Sequence, residues 1–131
     1  MGILTDDMKR VVRQQRIGFV ATVCPDGTPN LSPKGTAAVW DDDYLVFADL
    51  ASPGTMANLR ANPRASLSMQ DGEGRWATFE GRGRVMEDRP AVEEAVRRHR
   101  RRYGGNTSVS PDFVAIEIQI ERVMGEWWLA R

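Results

Sequence analysis

The chain has 131 residues, 41% hydrophobic and 27% charged, which is enough length and apolar content for one domain with a real core. Its 18 basic and 18 acidic side chains cancel, so no global field favours nucleic acid or an anionic membrane. A single cysteine, Cys24, and a single histidine, His99, exclude an internal disulfide and a multi-cysteine or two-histidine metal site.

The first residues, Met-Gly-Ile-Leu-Thr-Asp-Asp, do not form a signal peptide, and no apolar run approaches the length of a membrane span, so a cytoplasmic protein is expected. Thr5 to Gln15 reads as a short helix, with Thr5 as N-cap, Asp6 and Asp7 in the first turn and Arg13 toward the end. Its apolar side is thin, which predicts a helix lying on the core. Ile17–Val23 is a strand, and Cys24-Pro-Asp-Gly-Thr-Pro29 is a turn. Asn30–Trp40 is a second extended segment in which Pro33 and Gly35 predict an edge, a bulge or a close approach by a ligand. Asp41-Asp-Asp43 turns into the apolar run Tyr44-Leu-Val-Phe-Ala48, short and rich in aromatic and β-branched residues, hence a buried strand. Ala51-Ser-Pro-Gly54 breaks the chain, and Thr55–Asn62 makes two helical turns before Pro63.

Arg64–Met69 alternates as a strand, Gln70–Gly74 turns, and Arg75–Met86 is a long strand whose Gly81 and Gly83 predict sharp coiling or a bulge. Arg89–Tyr103 is the clearest helix, with Pro90 at its start and Gly104-Gly105 at its end. Asp112–Val123 alternates Val114, Ile116, Ile118 and Ile120 with Ala115, Glu117, Gln119 and Glu121, predicting one core face and one wet face. Six strands with strong turns and three helices fit a mainly β fold, a six-stranded antiparallel barrel with flanking helices. One domain is expected over residues 1–131: an N-terminal helix within 1–16, the barrel with inserted helices over 17–124, and a tail over 125–131 that carries Trp127 and Trp128.

A strand that feeds a glycine-containing loop at a helix start, as Leu45–Thr55 does, is a ready anion site, because free N–H groups and the helix dipole point the same way. Taken alone, the stretch reads first as a plain strand–turn–helix connection with Ser52 or Thr55 merely capping the helix. Lys34 alone reads as an exposed strand lysine. The run Arg97-Arg-His-Arg-Arg-Arg102 follows Glu93 and Glu94 and lacks interleaved aromatics, so it reads as a solvated helix face and not as a nucleic-acid site. Adjacent carboxylates such as Asp6-Asp7 and Glu93-Glu94 do not face one another on a helix and make no acid/base dyad. No catalytic side chain and no metal site is assigned. A cofactor-dependent protein needs neither, since the cofactor performs the electron chemistry.

Asn30-Leu-Ser-Pro-Lys-Gly-Thr36, the strand Leu45–Ala48 and Thr55-Met-Ala-Asn-Leu-Arg-Ala-Asn-Pro-Arg64 resemble, in that order, the FMN-binding split-barrel proteins related to pyridoxamine 5′-phosphate oxidase. The resemblance runs from Ile17 to Val123 and rests on the ordered set. It implies a homodimer with FMN at the subunit interface. Pro33, Lys34, Gly35 and Thr36 fall on the strand that lines the flavin ring and ribityl chain. Asp49 and Leu50 fall where the next strand ends against the cofactor. Gly54 and Thr55 match the phosphate-binding pair, Asn58 matches an amide position of the small helix, and Trp76 falls where the long strand approaches the flavin. In the oxidase the phosphate pair is Arg-Lys. Here a phosphate would depend on Thr55, Ser52, loop N–H groups and a basic side chain, with Lys34 and Arg60 as candidates.

The short chain without the oxidase's substrate arginine region argues against pyridoxal phosphate synthesis. The function implied is an FMN-dependent oxidoreductase passing hydride or electrons between a small-molecule donor, NAD(P)H among them, and a small acceptor. The alternatives are a deazaflavin-dependent reductase and a non-enzymatic FMN-binding electron carrier or storage protein. A dimeric scaffold binding DNA through Arg97–Arg102 ranks last.

Overall fold

The computed structural model describes residues 2–34, 37–50, 53–103 and 113–125. Helix α1 (Asp6–Gln14) begins at the expected cap: the Thr5 hydroxyl accepts from the Met8 N–H, and the Met8 sulfur accepts from the Thr5 N–H. Its three apolar residues, Met8, Val11 and Val12, are all buried, so the helix closes the core instead of resting on it. Each such side chain contributes about 1.5–3 kcal/mol.

Strands β1 (Gln15–Val23), β2 (Pro29–Lys34), β3 (Ala38–Val39) and β4 (Tyr44–Leu50) precede α2 (Pro53–Ala61). Strands β5 (Arg64–Asp71) and β6 (Trp76–Met86), helix α3 (Arg89–Tyr103) and β7 (Phe113–Gly125) follow. All strand pairs are antiparallel, in the order β2-β1-β5-β6-β7-β4-β3. The architecture is the mainly β one expected, with seven strands where six were predicted. The extra strand arises because the segment predicted as 30–40 divides into β2 and β3, which pair with opposite ends of the sheet.

That division also explains the curl. Lys34 ends one edge strand and Ala38 begins the other, and four residues reach at most about 14 Å. The sheet therefore bends toward closure, giving a split barrel whose two edges are β2 and β3. Gly81 and Gly83 assist the bend. The β6–β7 register shifts between Glu80 and Gly81, where a Cβ on Gly81 would overlap the Gln119 carbonyl, and Gly83 takes the Leu59 side chain against its bare backbone.

The barrel interior holds Val20, Leu45, Phe47, Leu67, Phe79, Ile116 and Ile118. A second apolar cluster lies under α3, where Val92, Ala95 and Val96 cover Val46, Ala48, Met86 and Ala115. Strand β4 is thus buried on both faces, which is why its sequence is an unbroken apolar run. Strand β7 departs from the expected pattern at its start, where Ala115 on the face predicted to be wet is fully covered by α3. Gly104, Gly105 and Asp112, expected at the end of α3 and the start of the last strand, and Trp127 and Trp128 in the tail, lie outside the described residues.

Candidate functional site

Helix α2 starts with Pro53, whose fixed φ and missing N–H suit a first helical position. Its first turn carries no acid, and Arg60 stands in its last turn. The contrast with α1, which has Asp6 and Asp7 at its start, matters electrostatically: no side-chain carboxylate of α2 occupies the positive end of its dipole. Gly54 is exposed, and a Cβ there would meet nothing within 4 Å, so a ligand has a clear approach to the backbone.

Thr55, Asn58 and Leu59 form the inward face of α2 and are all buried. Leu59 fills the notch between Gly83 and Ala65. The Asn58 Nδ2 donates to Thr22 Oγ1 at 3.1 Å and to Cys24 Sγ at 3.7 Å, tying the helix to the end of β1. Just beyond the helix, the Gly83 N–H donates to the Pro63 carbonyl at 2.7 Å and the Arg64 N–H to Asn62 Oδ1 at 3.1 Å.

The outer face of the sheet is divided. One register row runs Pro33–Phe19–Ser68–Thr78–Met124 across β2, β1, β5, β6 and β7. Phe19 and Met124 are 39% and 36% exposed, and Ser68 Oγ and Thr78 Oγ1 lie 2.9 Å apart. Trp76, two residues ahead of Thr78 on the same face, is 41% exposed, and Leu31 is 66% exposed. Further along the same strands the face becomes charged, with the pairs Arg122–Glu80, Arg84–Glu117 and Arg64–Glu121. A cleft of about 690 Å³ opens there between Ala21, Pro29, Ser66, Glu80 and Arg122.

The expected site residues separate into two groups. Pro33 and Trp76 share the apolar end of the outer face. Lys34 instead faces inward in the row with Gly18 and is 7% exposed, so it is not an exposed strand lysine. Thr55 and Asn58 are inward residues of α2, with Gly54 as the accessible member of that group. Asp49 and Leu50 end β4 opposite Val114 and Phe113. Gly35, Thr36 and Ser52 lie outside the described residues. Arg60, a candidate for balancing phosphate charge, pairs with Glu87 at 2.6 Å in an exposed ion pair instead.

Neighbouring charges are held by partners of their own. Burial opposes ionisation of Asp71, but the Arg75 guanidinium at 2.8 Å and the N–H groups of Glu73 and Arg75 outweigh it and hold the carboxyl below its usual range. This pair closes the β5–β6 hairpin directly before Trp76. Hydrogen bonding from Arg98, aided by Arg97, keeps Glu94 below its usual range against the burial that opposes it. Arg98 also stacks on Trp40 at 4.3 Å and donates to the carbonyls of Val39 and Trp40, covering the free edge of β3. At Arg98, therefore, the arginine run packs on the fold and is half-buried, where a solvated face was expected. Among the described residues no group of three or more His, Cys, Asp or Glu is placed to hold a metal ion.

Sequence reasoning missed Thr22 and Cys24 as partners of α2, and it missed Phe19, Ser68, Thr78 and Met124 as companions of Pro33 and Trp76. Alternation assigns each to a face of its own strand, but the cross-strand row exists only once register is known.

Compared with known proteins, residues 4–125 match the family model described as pyridoxamine 5′-phosphate oxidase. The chain belongs to that family. It is 31% identical over 124 residues to the F420H(2)-dependent biliverdin reductase of Mycobacterium tuberculosis, covering 93% of this chain and 88% of the relative. Its fold resembles that of the conserved hypothetical protein Rv2991 of Mycobacterium tuberculosis, with a TM-score of 0.78 and 24% identity over 94% of this chain and 84% of the other. It also resembles a protein described as F420 reductase, with a TM-score of 0.71 and 24% identity over 88% of this chain and 94% of the other. Among the described residues no helix is long and apolar enough to cross a membrane.

Proposed function

We propose that this family member is a reductase that uses a deazaflavin cofactor of the F420 type and delivers hydride to a small conjugated acceptor. The observation that carries the reading is its 31% identity, over almost the whole chain, to an F420H(2)-dependent enzyme. The start of α2 fits such a group: a phosphate would meet an open glycine, the N–H groups of a first helical turn and no acid in that turn. When bound, the cofactor supplies a two-electron hydride donor.

The chain's own part is binding and orientation. Because Gly54 is exposed and Thr55 buried, backbone N–H groups are the main anion donors in this proposal, with Ser52 beside them. Residues 34–36 are assigned to the ring edge in this proposal through their backbone, since the Lys34 side chain faces inward. Pro33 and Trp76 are proposed to flank the ring face, Asn58 to support the phosphate end, and the end of β4 at Asp49 and Leu50 to close the site.

A second copy of the chain is proposed to cover the apolar end of the outer face. Phe19, Trp76 and Met124 are exposed together at that end, and Leu31 is exposed one row away, in the row of Glu80 and Arg122; an apolar cluster of this kind is what a protein interface uses. The site then forms between two protomers and excludes water from the ring.

The second reading is the FMN-dependent oxidoreductase, favoured by the family itself, since the same helix start fits a flavin phosphate equally well. Titration of the purified protein with F420 and with FMN, and mass spectrometry of any cofactor that accompanies it, separates the two. Preference for F420 by at least tenfold, with oxidation of reduced F420 by an acceptor, is the expected result. Preference for FMN overturns the deazaflavin reading in favour of the second, and uptake of neither overturns both. Tight binding without turnover would leave an electron carrier.

A further inference from the structure

We infer that Asn58 is a positioning residue for the phosphate end of the cofactor site, acting through the seating of α2 on β1 and not by touching the ligand. The inference rests on the proposed placement of a cofactor phosphate at the start of α2. Asn58 is 6% exposed and Thr22 is 3% exposed, so both lie beneath the helix and away from any ligand approaching Gly54. The two amide protons of Asn58 have two acceptors on one strand, Thr22 Oγ1 at 3.1 Å and Cys24 Sγ at 3.7 Å.

The other inward residues of α2 are Thr55, also buried, and Leu59, seated in the Gly83–Ala65 notch. An apolar contact of this kind resists withdrawal of the helix but hardly resists rotation about its axis, because dispersion is not directional. Hydrogen bonds are directional. The Asn58 amide therefore sets the azimuth of the helix. Gly54 lies four residues earlier, about 6 Å along the axis and slightly more than one turn away. Within a rigid helix of this length, a rotation released at Asn58 is carried undiminished to the N–H groups of the first turn. Those groups must point at one place to hold a phosphate, and the site has no Arg-Lys pair at Gly54-Thr55 whose long side chains would follow a displaced ligand. A site built from backbone donors depends more on helix seating than one built from flexible cations.

The test reads phosphate discrimination, the ratio of dissociation constants for riboflavin and FMN, or for the phosphate-free deazaflavin and F420, whichever pair wild type binds. Three variants are compared: Asn58→Ala, Thr22→Val, which removes the acceptor from the strand side with little change of shape, and Thr22→Ser, which keeps the hydroxyl. Asn58→Ala and Thr22→Val are expected to lower discrimination at least fivefold, with affinity for the phosphate-free compound held within twofold. Thr22→Ser is expected to match wild type, and the double variant Asn58→Ala/Thr22→Val to be no worse than the poorer single one, since both cut the same link. Should Asn58→Ala fail to fold, the Thr22 pair carries the test.

Lower thermal stability with unchanged discrimination would overturn the inference alone and leave Asn58 as ordinary packing. A wild type that binds both compounds of a pair equally, or neither, would overturn the phosphate placement and this inference with it.

Discussion

Replacing Gly54 by Asp should stabilise the empty protein and weaken its cofactor complex. Gly54 is exposed on the first turn of α2, a Cβ there meets nothing within 4 Å, and its φ is not among the positive values, so the new side chain enters without strain. A carboxylate on the first turn gains about 0.3–1 kcal/mol from the helix dipole. Replacing glycine in a helix adds roughly a few tenths more. For a chain of this size the sum should raise the melting temperature by roughly 2–5 °C.

In the complex the sign reverses. A phosphate carries one negative charge as a diester, as in F420, and about −1.5 to −2 as a monoester, as in FMN, and two unit charges about 4 Å apart in water repel by about 1 kcal/mol. The penalty is therefore about 1 kcal/mol for F420 and about 1.5–2 kcal/mol for FMN, or roughly 5-fold and 10–30-fold in dissociation constant. Gly54→Ala should gain helix stability and keep the affinity within about threefold, since it adds no charge. The assay pairs thermal melts of the empty protein with fluorescence titrations of the phosphate-bearing and phosphate-free cofactor. A Gly54→Asp protein that melts higher yet binds the phosphate-bearing cofactor as wild type does would show that the start of α2 is not the phosphate site. Equal loss for both ligands would refute the electrostatic argument.

Three further outcomes are expected. Gly81→Ala, which drives a Cβ into the Gln119 carbonyl at the β6–β7 bulge, should cost about 3 kcal/mol or more in urea denaturation; a loss below about 1 kcal/mol would mean that the bulge relaxes freely. Phe19→Glu places a charge in the row between Pro33 and Ser68 and should convert a dimer to a folded monomer in light scattering; a wild type that is already monomeric at tens of micromolar contradicts the proposed interface. Because Asp71 is held below its usual range, it stabilises the fold above the unfolded carboxylate value near 3.9, and that contribution fades as pH falls through the lower folded value. Asp71→Asn should thus lose about 1–3 kcal/mol at pH 7 and flatten the acid limb of the stability profile below about pH 4; parallel acid limbs for the two proteins would exclude Asp71 as a contributor.

Much of the fold is legible in the chain because its signals are local. Thr5 before two aspartates marks a helix start, Pro63 marks a helix end, and Tyr44–Ala48 is too short and too apolar to be anything but a buried strand. Gly81 and Gly83 announced the bend because a strand tolerates bare backbone only where another backbone or side chain presses against it, as Gln119 and Leu59 do here. The ordered strings from Asn30 to Arg64 were sufficient to place the chain among the split barrels. The apolar side of α1 misled because three residues look thin by count, yet all three are enclosed once the curled sheet wraps them.

The candidate site was only partly legible. Its residues were recognised by position in a pattern, and a pattern does not say which way a side chain faces. Sequence alone determined most of the elements, the acid-free start of α2 and the absence of an Arg-Lys pair at Gly54-Thr55, since capping, breaking and charge depend on neighbours along the chain. Tertiary structure alone decided that Lys34 turns inward, that Asn58 holds β1, 36 residues away, and that Pro33, Phe19, Thr78 and Met124 share one row. Those facts depend on strand register and sheet closure, which are fixed by the packing of residues distant in the chain and leave no local mark in it.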